Sequence, residues 1–198
     1  PKNRIPIKTV LRGEKKLPEI YNFIIDKAKE GYQTFLVYPL VEDSEKLDLK
    51  AAITFYEDLK ENHLKNLKLG LIHGRMNWQE KEEVMLRFKD KLFDVLVSTT
   101  VIEVGIDIPD ANIILINDAH RFGLSQLHQL RGRVGRSNKQ AYCILITKDE
   151  IAAKQNTNEL ELDYLSAVQL EKYKSSVRLQ SMVKYLDGFK IAEIDLKL

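Results

Sequence analysis

A single cysteine, Cys143, is all the thiol chemistry in this chain of 198 residues. One cysteine closes no internal disulfide and forms no CxxC metal pair. Disulfide-stapled and paired-cysteine metal folds are thereby excluded, and a reducing cytosol suits the composition. Long apolar runs are missing as well. No stretch is long enough to span a bilayer, so a membrane partner is not expected. The N-terminus lacks the charged, apolar and cleavage-site succession of a signal peptide. Charge of one sign is scarce: 31 basic and 29 acidic residues leave a net charge of +2, which by itself announces no polyanion binder. There is no internal repeat and no low-complexity tract. The phosphate-cradling pattern GxxxxGK(S/T) occurs nowhere, since neither GEKK at Gly13 nor GRVGRS at Gly132 fits it.

What is present reads as one α/β unit with an appendage. Hydrophobic residues make up 44% and charged residues 30%, the balance of an ordinary globular domain. The start, PKNRIPIKTVL, is extended and leads into a first strand, because Pro6 biases its neighbours away from helix. Pro18 suits a first helical turn, Ile20, Ile24 and Ala28 recur at helical spacing, and Gly31 is a C-cap. Thr34 to Pro39 is a buried strand, VEDSEKLDL a polar loop, and Ala51 to Leu59 a helix. Leu69 to Gly74, Asp94 to Thr99, Asn112 to Asn117 and Ala141 to Thr147 are further strands. Asn77 with Glu80 forms a capping box for a helix through Phe88. Such alternation predicts a doubly wound, mostly parallel sheet flanked by helices, with ligand loops beyond the carboxyl ends of its strands. From Leu160 to Leu186 the texture is helical, Asp187-Gly188 turns, and FKIAEIDLKL follows. Cys143 is expected in the core.

The charge is distributed unevenly. From Ala119 to Thr147 there is no Asp or Glu, yet Arg121, Arg131, Arg133, Arg136 and Lys139 lie there. A local cationic strip on a near-neutral chain suits a specific phosphate site. Within it stands QLRGRVGR, Gln129 to Arg136. Arg133 and Arg136, three residues apart, share one face if the helix continues through them. A guanidinium fork stays charged and grips phosphate bidentately, and Gly132 and Gly135 allow close approach to the backbone. Earlier, STTVIEVGIDIP (Ser98 to Pro109) places hydroxyls and free amides at a strand end, an arrangement that suits an anion. HGRM (His73 to Met76) puts Arg75 between a strand and a capped helix. Trp78 can stack on a base, but a core or helix-anchoring role is expected for it. IILINDAHR imitates a Walker B strand with a DExH box, except that Ala119 stands where the carboxylate would be. Asp118 and His120 therefore read as loop residues.

On these residues the chain resembles superfamily 2 helicases. QLRGRVGR is similar to motif VI (QxxGRxGR), and the Ser98–Pro109 segment to motif V. YPLVEDSEKLDLKAA, RFGLSQLHQ and the C-terminal RLQSMVKYLDGFKIAEIDLKL narrow the resemblance to the RecG family of branched-DNA helicases. The resemblance implies a RecA-like second motor lobe over 13–148, after a linker and first strand over 1–12. A helical hairpin over 149–198 would belong to a translocation-coupling element that continues beyond Leu198. It implies that Arg133 and Arg136 are arginine fingers and that Gln129 is a polar partner near the γ-phosphate. Gly105 and Asp107 would lie near the nucleotide, with Asp107 available to the ribose. His73, Gly74, Arg75, Thr99 and Thr100 would face the nucleic-acid backbone. The implied ligands are ATP with Mg²⁺, bound mainly by a first RecA-like lobe, so this chain alone is expected to be inactive. No metal site is expected within it. The implied partners are forks and Holliday junctions, that first lobe and a wedge domain of the same protein, in the bacterial cytoplasm at the nucleoid. Two rivals remain: the transcription-repair coupling translocase lobe, and a stand-alone nucleic-acid-binding module with a degenerate motor fold.

Overall fold

A computed structural model describes residues 4–39, 45–99, 107–153 and 165–198. Six strands form one sheet in the order β1-β6-β5-β2-β4-β3: β1 (Lys8–Gly13), β2 (Gln33–Val37), β3 (Leu69–Ile72), β4 (Val95–Ser98), β5 (Ala111–Ile116) and β6 (Tyr142–Thr147). Every pairing is parallel. The helices are α1 (Leu17–Lys29), α2 (Glu45–Asp58), α3 (Trp78–Lys89), α4 (Leu124–Arg131), α5 (Asp149–Ala152), α6 (Ala167–Lys184) and α7 (Gly188–Lys197).

Central strands buried on both faces need continuous apolar runs, and β2, β4 and β5 are buried at every residue. The period of two then sorts the side chains. Phe35, Val37, Leu96, Ile114, Ile116, Cys143 and Leu145 share one core with residues of α3 to α7. Leu36, Val95, Val97, Ile113, Leu115, Ile144 and Ile146 share the other with α1 and the end of α2. This is the doubly wound arrangement expected, and Cys143 lies in the core, where burial pushes its thiol up to about 12.

Two local readings need correction, and one segment gains a conformation. The polar VEDSEKLDL stretch is not all loop, for α2 begins at Glu45 and passes into a π-helical turn over Leu59–His63. A partly exposed helix needs only one apolar stripe, which a charged sequence hides. The segment FKIAEIDLKL, for which the sequence alone assigns only a position after the turn, forms α7, capped by the Asp187 carboxylate accepting from Phe189 N–H at 2.8 Å. Trp78 is neither core nor covered: it is 69% exposed at the first position of α3. The tail is integral to the domain, since Leu179, Met182 and Ile191 are buried in the α3–α7 core.

Candidate nucleotide and nucleic-acid faces

A parallel sheet has two distinct edges, and the expected site residues divide between them. At the carboxyl edge, β3 ends at Ile72 and β4 at Ser98 in neighbouring register. His73 is half-buried, and Gly74 and Arg75 are exposed. The turn is held by His73 Nδ1 accepting from the Arg75 N–H at 3.2 Å and the His73 carbonyl accepting from Met76 N–H at 3.2 Å. Burial lowers the His73 pKa, which favours the neutral ring. α3 then starts on a complete capping box: Glu80 N–H donates to Asn77 Oδ1 at 2.8 Å, and Asn77 N–H donates to the Glu80 carboxylate at 3.1 Å. Thr99 is only 5% exposed, and both its N–H (3.1 Å) and its hydroxyl (3.4 Å) donate to the Ile72 carbonyl. In this structure it braces the His73 turn and presents no open hydroxyl. Thr100 and Gly105 lie outside the described residues. On the same edge, sequence reading missed an open groove of about 600 Å³ whose lining includes Tyr38, Leu47, Lys50, Thr54, Phe55 and Asp58. Tyr38 and Phe55 stack there at 4.3 Å. The buried run of β2 directed attention to its core residues and away from the aromatic just beyond it.

The arginines lie elsewhere. α4 ends at Arg131, so Arg133 and Arg136 do not share a helical face, and they lie away from the carboxyl edge, where ligand loops are expected in such a sheet. They occupy the turn between α4 and the amino end of β6. Gly132 caps the helix, and Gly135 at φ +85° reverses the chain. A Cβ at Gly135 would stand 3.0 Å from Ile7 Cγ1, so both the dihedral and the space demand glycine. Arg4 Nε donates to the Gly135 carbonyl at 2.9 Å and fastens the turn from the other side. Arg136 Nε is 3.4 Å from Asp107 Oδ1, with both side chains about half exposed. Asp107 precedes the amino end of β5, which brings the two residues expected near a nucleotide into one ion pair. Gln129 is exposed one turn before Gly132, and Arg133 is half-buried. Ser137 Oγ donates to Asn112 Oδ1 at 3.2 Å and ties the same turn to β5.

Arg131 was read only as part of the cationic strip, yet it is 2% exposed. Its Nη1 donates to the Met182 carbonyl at 2.6 Å and to Thr9 Oγ1 at 3.3 Å. Its Nη2 donates to the Tyr185 carbonyl at 3.0 Å and lies 3.3 Å from His128 Nδ1. One side chain therefore joins the end of α4, strand β1 and the α6–α7 turn. A signal existed: Leu124, Leu127, Leu130 and Arg131 fall on one helical stripe, and all four are buried. The decoy segment reads as expected. Asp118 sits at φ +45° in the turn after β5, and half-buried His120 is hydrogen-bonded to Thr147 Oγ1 at 2.8 Å.

Chemically, the amino-edge face offers guanidinium forks and an exposed amide, the donors a terminal phosphate takes. Among the described residues no group of three or more His, Cys, Asp or Glu gathers to hold a metal, and no helix is long and apolar enough to cross a membrane. The residues described at this face thus fit the phosphate end of a nucleotide.

Comparison with known proteins places the sequence and the fold. The helicase conserved C-terminal domain model matches residues 15–138. The whole chain is similar to the ATP-dependent DNA helicase RecG of Aquifex aeolicus, 49% identical over 198 residues, and to that of Thermotoga maritima, 44% identical over 197 residues. It spans 23% of the length of each of these relatives. A solved structure of RecG bound to a three-way DNA junction superposes with TM-score 0.76 at 41% identity, covering all of this chain and 23% of that one. Domain 2 of the DEAD-box helicase Mss116p, solved on an RNA duplex, shares the fold at TM-score 0.55 and 18% identity, with 94% of this chain and 84% of that one covered. From a six-stranded parallel sheet with helices on both faces, an arginine turn at one edge and a family match over most of the chain, it follows that this chain belongs to the helicase conserved C-terminal domain family.

Proposed function

We propose that this chain is the second motor lobe of a RecG-type ATP-dependent DNA helicase that remodels stalled forks and four-way junctions on the bacterial chromosome. The observation that carries the reading is the division of labour between the two edges. Arg133, Arg136, Gln129 and Asp107 gather at the amino edge, and His73, Gly74, Arg75 and Thr99 gather at the carboxyl edge. Residues 99–107 join the two edges, with Thr99 beyond the end of β4 and Asp107 before the start of β5. Strands of six residues such as β5 separate those edges by about 20 Å. A change at the nucleotide face therefore has a covalent route of nine residues to the DNA face, a route that includes Thr100 and Gly105 of the sequence motif.

The chain's own part in hydrolysis is electrostatic. ATP with Mg²⁺ would sit mainly on a first lobe carrying the phosphate loop, where the metal would supply neutralisation of phosphate charge. Arg136 leaves Asp107 as the lobes close and presents its fork to the γ-phosphate, Arg133 joins it, and Gln129 offers its amide. Asp107, released from the ion pair, becomes free to accept from a ribose hydroxyl. At the other edge Arg75 and the amide of Gly74 hold DNA phosphate, with His73 neutral beneath them and the Tyr38–Phe55 groove alongside. The α6–α7 hairpin, fastened to the arginine turn through Arg131, carries the movement toward a wedge domain. In domain terms, 1–12 is the entry from the first lobe, 13–148 the motor lobe and 149–198 the hairpin extension.

The test is Arg136→Ala in the protein carrying both lobes. ATP turnover should fall by about 10³-fold or more, the usual range for an arginine finger, while DNA affinity stays within about threefold. Near-normal turnover would refute the finger assignment. Turnover stimulated equally by linear and forked DNA would remove the branched-DNA part of the proposal.

A further inference from the structure

Trp78 is the chain's only tryptophan, and it stands 69% exposed at the first residue of α3. The capping box fixes that residue, since Asn77 and Glu80 bond reciprocally across it at 2.8 and 3.1 Å. α3 begins at the carboxyl edge of the sheet, three residues after Arg75, and helical Cα–Cβ bonds tilt toward the N-terminus. The indole is therefore held on the same edge as the His73–Arg75 turn. Among the described residues of α3 it does not belong to a continuous exposed apolar face. The next exposed apolar residue on α3, Leu86, is two turns further on, with Glu82 between them. A protein partner would need a broader patch, whereas a single rigid π-face beside a phosphate-binding cation is what a nucleobase takes.

We propose that Trp78 stacks on an unpaired base of the DNA whose phosphate Arg75 holds, and so reports and favours single-stranded segments at the carboxyl edge. The proposal rests on the reading of that edge as the DNA face, and the experiment separates the two. The 198-residue chain is titrated at low ionic strength with a labelled oligothymidylate, a forked duplex with unpaired arms, and a duplex closed by hairpins at both ends. Binding is followed by anisotropy of the label. The same samples give the emission of Trp78, excited where tyrosine does not absorb.

Emission quenched in step with binding of the oligothymidylate and the fork, but unchanged by the closed duplex, is the expected result. Trp78→Ala should weaken binding of the single strand by about 5-fold or more without altering its salt dependence, because stacking releases no counterions. Trp78→Phe should recover most of the affinity. Arg75→Ala should weaken binding and lower the salt slope by about 0.7 for a single strand. Binding that leaves Trp78 emission unchanged, or equal quenching by the closed duplex, overturns the stacking proposal and leaves the DNA face standing. A blue shift that grows with protein concentration and needs no DNA assigns Trp78 to self-association and overturns it too. Absence of binding to all three DNAs overturns the DNA-face reading, and the stacking proposal with it.

Discussion

Arg131→Ala offers the sharpest test of how the tail is held. In the folded chain this guanidinium is 2% exposed and donates to two main-chain carbonyls, Met182 at 2.6 Å and Tyr185 at 3.0 Å, and to the Thr9 hydroxyl at 3.3 Å. Removing it strands those acceptors, at about 1–3 kcal/mol for each buried group left unsatisfied. Part of that loss is returned, because burying the cation is itself costly, as its lowered pKa reflects. Water entering the truncated site offsets a little more. The net expectation is about 3 kcal/mol, a large share of the roughly 5–15 kcal/mol that hold a domain together. Urea unfolding should show a lower midpoint with an unchanged slope. Amide exchange should accelerate through α6 and α7 before it does in β2, β4 and β5, since the lost bonds tie the α6–α7 turn to α4 and β1. Arg131→Lys keeps the charge without the fork and should recover only part of the loss. Stability within about 0.5 kcal/mol of the parent, with unchanged exchange in 167–198, would show that apolar packing of Leu179, Met182 and Ile191 holds the tail unaided.

Gly135→Ala should destabilise by about 1–2 kcal/mol, from its φ of +85° and the 3.0 Å approach to Ile7 Cγ1, measured by the same unfolding curves. Stability should fall as pH drops below about 6.5, because burial lowers the folded pKa of His73, His120 and His128, so that the unfolded chain binds more protons there. Above that pH these three contribute no slope, and His120→Gln should flatten the acid side of the thermal-denaturation profile. Cys143, fully buried with its thiol pushed up to about 12, should be silent to a thiol reagent in the native state and react fully in denaturant. Rapid native labelling would mean that β6 opens.

Much of the site could be read from the order of residues. The arginines and glycines of Gln129–Arg136 suit a phosphate, and the structure pairs Arg136 with Asp107, another residue singled out from the sequence. The alternation of apolar strands with capped helices determined a doubly wound sheet, because β2, β4 and β5 are too apolar for a half-solvated sheet. The capping box at Asn77 was equally legible, being a matter of four adjacent residues.

Other features depended on which distant groups meet. That α4 stops at Arg131 is decided by the turn that Gly135, Arg4 and Ile7 build across more than a hundred residues of sequence. Whether Arg131 is surface charge or buried clasp depends on carbonyls some fifty residues later. Thr99 looked like an open hydroxyl and became a brace, because β3 and β4 pair so that the Ile72 carbonyl lies within its reach. Trp78, apolar enough for a core, is left outside because it stands at the first position of α3, beyond the end of β3, whereas Met85 and Phe88 lie further along the helix and are buried. Sequence settles local conformation and the chemistry a segment can perform. Which edge of the sheet that chemistry faces, and which cation is buried, is settled only when strand order brings remote backbone groups within hydrogen-bonding distance.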